Sequence, residues 1–280
     1  MRRAALPSPV GGGSAGRRPD GVGCAADDGD AVTPTRRAAL ADLPPPGGGE
    51  DRVRGTAEIT IASVNLIADC DGTLYWPDQN LLAVADLHLE KGSSFARRGV
   101  LLPPYDTAAT LARLAAAIAR WRPKTVVALG DNFHDGEGAG RMADTDRAML
   151  RGLQRGREWV WITGNHDPEP VDDIGGVFAA ALALGALVLR HEPSRGHADG
   201  EIAGHLHPLA RVAQRGRGVR RRCFAADGKR MVMPAFGAYT GGLNIRDRAF
   251  AGLFDRAAFK AHMLGERRLY AITAARCLAD

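Results

Sequence analysis

Thr125-Val126-Val127-Ala128-Leu129-Gly130-Asp131-Asn132-Phe133-His134 is the stretch on which the fold turns. Its first five residues are apolar or β-branched and read as a buried strand. The strand stops at a glycine, and a carboxylate follows at once. Working outward, the arrangement recurs. Asn80-Leu81-Leu82-Ala83-Val84-Ala85 runs into Asp86-Leu87-His88, and Trp159-Val160-Trp161-Ile162 leads to Gly164-Asn165-His166-Asp167. Ala186 to Leu189 leads to His191-Glu192, and Glu201-Ile202-Ala203 to Gly204-His205-Leu206-His207. In open α/β sheets ligands bind beyond the carboxyl ends of strands, so five such ends can converge on one crevice. Glycine before three of the clusters lets the backbone bend without a Cβ clash.

Between these runs, Asp106 to Arg120 and Asp144 to Arg155 carry helical spacing, and Val171 to Leu184 is also read as a helix. Glu58 to Ala68 reads as β-rich, with a turn at Asp71-Gly72. Arg222 to Ala225, Met231 to Ala235 and Leu269 to Thr273 read as strands, and a helix is expected near Arg256 to Leu264. Residues 55–280 are therefore expected to form one α/β domain. Residues 1–54 differ in texture. The first 50 hold 10 Gly and 7 Pro and no aromatic residue, too little apolar surface to offset the entropy of ordering. They are expected to be a disordered, low-complexity extension, or the product of a start codon placed too far upstream.

The 280-residue chain has 37 Lys+Arg against 32 Asp+Glu, a net charge of +5 that leans only weakly towards anionic partners. Its longest apolar run, Val177 to Leu189, is 13 residues and too short to span a bilayer. The start, Met1-Arg2-Arg3-Ala4, lacks the apolar region of a secretory signal. The four Cys form neither a CxxC pair nor a disulfide framework, so a reducing cytoplasm is the expected compartment.

Six of the eight His lie in or beside the strand-end clusters: His88, His134, His166, His191, His205 and His207. His197 and His262 stand apart and are read as ordinary histidines. The clusters offer imidazole, carboxylate and one carboxamide, with no thiolate. That set suits Mn²⁺, Fe²⁺ or Zn²⁺ and argues against a closed structural zinc site. Residues two apart on leaving a strand point the same way, which pairs Asp86 with His88 and His205 with His207.

Asp-x-His, Gly-Asp, Gly-Asn-His-Asp, a lone His and Gly-His-x-His, in that order over about residues 80 to 245, resemble the calcineurin-like metallophosphoesterases. Three longer stretches are similar to the bacterial ligase-associated DNA damage response endonuclease (PdeM) family: Ala85 to Ala96, Gly130 to Asp135 and Pro234 to Gly242. The resemblance implies an α/β four-layer sandwich, two β-sheets flanked by helices. It implies two divalent ions, Mn²⁺ first, with Fe²⁺, Zn²⁺ or Mg²⁺ as alternatives. One ion would be held by Asp86, His88 and His207, the second by Asn165, His191 and His205, with Asp131 bridging. Ions so held would lower the pKa of a shared water towards neutral pH, so that it could attack phosphorus in line. His166 would stabilise the transition state or protonate the leaving oxygen. His134, in a Gly-Asp-x-Phe-His arrangement resembling the SbcD-type nucleases, would be a second imidazole beside that oxygen. Asp135 and Asp167 would orient imidazoles.

Basic residues sharpen the substrate. Arg211, Arg215, Arg217, Arg220, Arg221 and Arg222 put six Arg and no acid into twelve residues after the Gly-His-x-His cluster. With Gly216 and Gly218 they read as a loop or hairpin that could track a nucleic-acid backbone. Lys91, Arg97 and Arg98 could contact phosphate similarly; either group could equally be a solvated charge run. The leading expectation is a metal-dependent phosphodiesterase acting on DNA as an endonuclease in bacterial repair. Association with a DNA ligase, helicase and exonuclease is implied by the family alone. The alternative keeps the dimetal site and changes the substrate: a small-molecule phosphodiesterase, nucleotide pyrophosphatase or phosphomonoesterase. A non-catalytic scaffold would need degraded ligands, and all seven positions are filled.

Overall fold

The computed structural model describes residues 55–196, 198–214 and 216–280. The expected disordered extension, residues 1–54, and Arg215 of the basic run lie outside them.

The chain opens with an antiparallel meander: β1 (Thr56–Ile61), β2 (Val64–Asp69) and β3 (Leu74–Trp76), leading to β4 (Leu81–Val84). A short helix α1 (Lys91–Arg97) and a long one, α2 (Asp106–Trp121), precede β5 (Thr125–Leu129). Then come α3 (Gly138–Arg141), α4 (Asp144–Gln154), β6 (Glu158–Ile162) and β7 (Val177–Ala179). These strands form one seven-stranded sheet in sequence order, with β4 to β7 parallel. The second sheet is built from β8 (Ala181–Leu184), β9 (Leu187–Arg190), β10 (Glu201–Ala203), β11 (Leu209–Gln214), β12 (Arg217–Ala226), β13 (Arg230–Val232), β14 (Lys260–Leu264) and β15 (Leu269–Thr273). Its order is β15-β14-β12-β13-β10-β9-β8, and β11 pairs with β12.

The two sheets face each other across one apolar layer. Ala83, Val127, Leu129 and Ile162 meet Leu189, Ile202, Phe224 and Met231 there. Every residue of β4 is buried, because α2 and α4 cover the opposite face with Leu111, Leu114 and Leu150. Strands buried on both faces lose the polar alternation of half-exposed ones, which is why β4, β5 and β6 read as continuous apolar runs. The outer face of the second sheet is covered by the segment 245–259, whose Phe250 and Phe254 pack on Cys223, Ala225 and Met263. The architecture is the expected two-sheet sandwich with flanking helices. No helix among the described residues is long and apolar enough to cross a membrane.

Two expected helices are strands. Residues 177–184 have good helix formers in Ala and Leu, but Gly175 and Gly176 both take positive φ, 72° and 77°. The indole of Trp161 donates to the Gly175 carbonyl at 2.8 Å and holds that turn against β6. The chain then crosses at Ala180 from the first sheet to the second, pairing β7 with β6 and β8 with β9. The other is β14, where Ala261 and Met263 face the core while their neighbours are less buried. Pairing with β12 and β15 overrides the helix propensity of Ala, Lys and Met.

Candidate metal centre

The strand ends converge at the rim where the two sheets meet. β4, β5 and β6 of the first sheet deliver Asp86 and His88, Asp131, and Asn165; β9 and β10 of the second deliver His191, and His205 with His207. The rim is tied together by backbone bonds. His88 N–H donates to the Asp131 carbonyl at 2.8 Å, and His134 N–H to that of Leu89 at 2.9 Å. The Asp86 carboxylate accepts the His205 N–H at 3.0 Å, joining the sheets.

Asp86, His88, Asp131, His205 and His207 all adopt positive φ, between 42° and 70°. Such a conformation costs of order 1–3 kcal/mol per non-glycine residue and persists where surroundings over-determine it. Asp86 and His88 therefore face one side not as alternating strand residues but as two left-handed turns around the buried Leu87. The same holds for His205 and His207 around Leu206. Gly164 allows the closest approach: a Cβ there would run into the backbone nitrogen and carboxylate of Asp131.

Asp131 is the centre of the arrangement. Its Oδ1 lies 3.3 Å from His191 Nε2 and its Oδ2 3.7 Å from His88 Nε2. Around Oδ2 gather His88, His207 and Asp86, with His88 Nε2 3.3 Å from His207 Nε2 and His207 Nε2 3.4 Å from Asp86 Oδ1. Around Oδ1 gather His191, His205 and Asn165, with His191 Nε2 3.1 Å from His205 Nδ1 and 2.9 Å from Asn165 Oδ1. In each of the sets Asp86, His88, Asp131, His207 and Asp131, His191, His205, one ligand atom per residue lies within 4.8 Å of all the others. Imidazole nitrogens this close can share a proton only in one tautomer, whereas a cation between them would take the lone pairs of both. Donor chemistry and geometry thus fit two divalent ions. The orientation of His191 supports this: its Nδ1–H donates to the Leu129 carbonyl at 2.9 Å, leaving the Nε2 lone pair inward.

Burial keeps His88 and His205 neutral, the state that ligation needs. Burial, then the neighbouring His207, His166 and His134, holds His88 far below the usual range. Burial and His191 lower His205. Burial pulls His207 down too, but the Asp86 carboxylate, by charge and hydrogen bond, lifts it above its ordinary value.

The other expected residues fall into distinct places. His166 stands at the open side, 39% exposed, its Nδ1 2.8 Å from the His134 carbonyl and its Nε2 4.0 Å from Asp131 Oδ2. His134 stacks on His166 with ring centroids 5.3 Å apart, and its Nδ1 lies 3.4 Å from Nδ1 of His88. Asp167 faces backbone amides rather than an imidazole: it accepts the N–H groups of Gly164, Asn132 and Phe133. Burial pushes its pKa up to about 6 against those bonds. Asp135 pairs with Arg141 at 2.7 Å and caps the backbone of Glu137, bracing α3.

Among the basic residues, Lys91 and Arg98 flank the Phe95 ring at 5.5 and 6.0 Å, and that ring lies 5.5 Å from His134. Arg97 instead pairs with Glu137. The expected basic hairpin exists as β11 and β12, and part of it is engaged within the fold. Arg222 donates to the carbonyls of Ala235, Gly237 and Thr240. Arg211 and Arg220 hold the C-terminal residues Ala279 and Asp280. Arg217 and Arg221 are exposed. Two arginines missed in the sequence, Arg190 and Arg195, flank the His191 loop; isolated in the chain, they gain meaning only by position.

Two sheets delivering aspartate, asparagine and histidine from five strand ends to a paired cation site define a metal-dependent phosphoesterase. Residues 80–212 match the family of calcineurin-like phosphoesterases. Among solved structures it is similar to the crystal structure of the nuclease MPE of Pseudomonas putida. The identity is 27%, with 78% of this chain and 100% of that one covered and a TM-score of 0.60. Among curated proteins none matches the sequence.

Proposed function

We propose that this protein is a manganese-dependent phosphodiesterase that cleaves DNA internally, in the bacterial cytoplasm and in the service of repair. The observation that carries the reading is the division of the Asp131 carboxylate, one oxygen towards each cluster, with two further imidazoles beside it. Asp86, His88 and His207 would hold one ion, Asn165, His191 and His205 the other, and Asp131 both. Divalent ions there supply Lewis acidity to the phosphoryl oxygens and lower the pKa of the attacking water.

The remaining chemistry belongs to His166 and His134. With its Nδ1–H held by the His134 carbonyl, His166 presents Nε2 to the substrate side, where an imidazolium proton can pass to the departing sugar oxygen. His134 is held neutral at pH 7, its pKa pushed down to about 4 by burial, then by Lys91 and His166. It can donate a hydrogen bond to that oxygen but carries no spare proton. A diester leaving group is an alkoxide and benefits from such an acid more than an aryl oxide does. The nuclease activity named for the Pseudomonas putida structure supports the choice of substrate.

Purified protein with Mn²⁺ should nick supercoiled plasmid, and Asp131→Ala and His166→Ala should each lower the rate by at least about a hundredfold. Intact plasmid with hydrolysis of bis-p-nitrophenyl phosphate would transfer the reading to small diesters. Hydrolysis of the monoester alone would sink the phosphodiesterase.

A further inference from the structure

A cavity of about 560 Å³ adjoins the candidate centre. It is lined by Asn165 and His191 of that centre and by Arg190, Ser194 and Arg195. The loop after β9 carries Arg195 exposed. Arg190 approaches Glu201 only to 3.7 Å. That carboxylate is already engaged by the buried Arg230 at 2.5 Å and by the Ser194 N–H at 3.0 Å. Counting the exposed Glu192 on the wall, three guanidiniums share two carboxylates, so the cavity keeps a positive excess. Its size suits one nucleotide unit. The wall offers no Phe, Tyr or Trp face for a base.

We propose that Arg190 and Arg195 form a phosphate subsite that takes the phosphate one nucleotide along the strand from the scissile diester. The inference rests on the nuclease reading above. Guanidinium groups meet phosphate oxygens in a two-pronged geometry that lysine cannot reproduce, which fits arginine at both positions of this lining. The subsite would set the register of the strand over the metals and favour polynucleotides over isolated diesters.

The test compares the dinucleotides TpT, pTpT and TpTp, binding to metal-loaded protein by calorimetry in a His166→Ala background that suppresses turnover. One of the phosphorylated forms should bind about tenfold more tightly than TpT, and which one reports the strand polarity. Arg195→Ala should erase that preference, and Arg195→Lys should restore part of it. Arg195 is the first choice because Arg190 also faces Glu201; an unchanged melting temperature confirms that the variant is folded. Equal affinities for the three ligands, or a preference surviving both Arg195→Ala and Arg190→Ala, would overturn the subsite. Plasmid nicking by the wild type is scored in parallel. Phosphate preference with intact plasmid retires the endonuclease while upholding the subsite; nicking without preference retires the subsite alone.

Discussion

Asp131 carries its function through backbone geometry as much as through charge. Its φ of 45° turns the carboxylate between the two clusters, and the His166 N–H donates to its Oδ1 at 3.0 Å. Gly164 is the residue that permits this, because any side chain there collides with Asp131. Gly164→Ala should therefore lower metal occupancy at least tenfold while leaving circular dichroism unchanged, as measured by metal analysis of dialysed protein. Full occupancy in that variant would mean the loop yields more easily than its packing implies. The sequence shows Gly before three ligand clusters, but it reads only as permission to bend. That Gly164 is needed for close approach, with no positive φ of its own, became visible once the Asp131 loop lay beside it. Asp167 is a similar case: the resemblance implies that it orients an imidazole, whereas its partners are amides of two loops.

The hairpin β11–β12 divides its arginines between the fold and solvent. Its arginine density points to nucleic acid, yet the partly buried Arg222 is held by four acceptors, including Thr240 Oγ1 at 2.9 Å, and desolvation with nearby Arg113 pushes its pKa down to about 10. Arg222→Ala should cost about 2–4 kcal/mol in chemical denaturation, since it leaves carbonyls unpaired in the interior. Arg221→Ala, on the exposed side, should cost about 0.5 kcal/mol or less. Equal stability of the two variants, with DNA affinity lost in the first, would return Arg222 to a binding role. The strand β14 carries a second test. Burial, then Lys260, pushes the pKa of His262 down to about 4. A folded value below the unfolded one of about 6.5 means the native state favours neutral imidazole. The contribution is therefore present above pH 6.5 and lost as pH falls through 4. Relative to His262→Gln, the wild type should lose roughly 3 kcal/mol across that window; parallel stability curves would refute the burial argument.

At the scale of the molecule, the centre takes ligands from both sheets, so bound metal should act as a clamp across the sandwich. Saturation at a hundred times the dissociation constant stabilises by about 2.7 kcal/mol. For a domain of this size that corresponds to a rise of roughly 5–10 °C in melting temperature on adding Mn²⁺ to chelator-treated protein. No rise, together with no metal retained on purification, would sink the two-ion fit. A smaller rise in Asp131→Ala than in His166→Ala would match their different places.

Sequence alone determined the strands that are buried on both faces, the helices α2 and α4, and the residue types that the strand ends carry. Those signals are local: an apolar run, a 3.6-residue period, a glycine beside a ligand. The tertiary structure decided which ends share a cavity, and that each ligand pair reaches it through left-handed turns. It also made strands of 177–184 and 260–264. Helix propensity there amounts to tenths of a kcal/mol per residue, and long-range pairing with β6, β9, β12 and β15 outweighs it. The arginines divide for the same reason. Charge density is a property of the chain, but whether a guanidinium faces carbonyls or solvent depends on what the fold places within its reach.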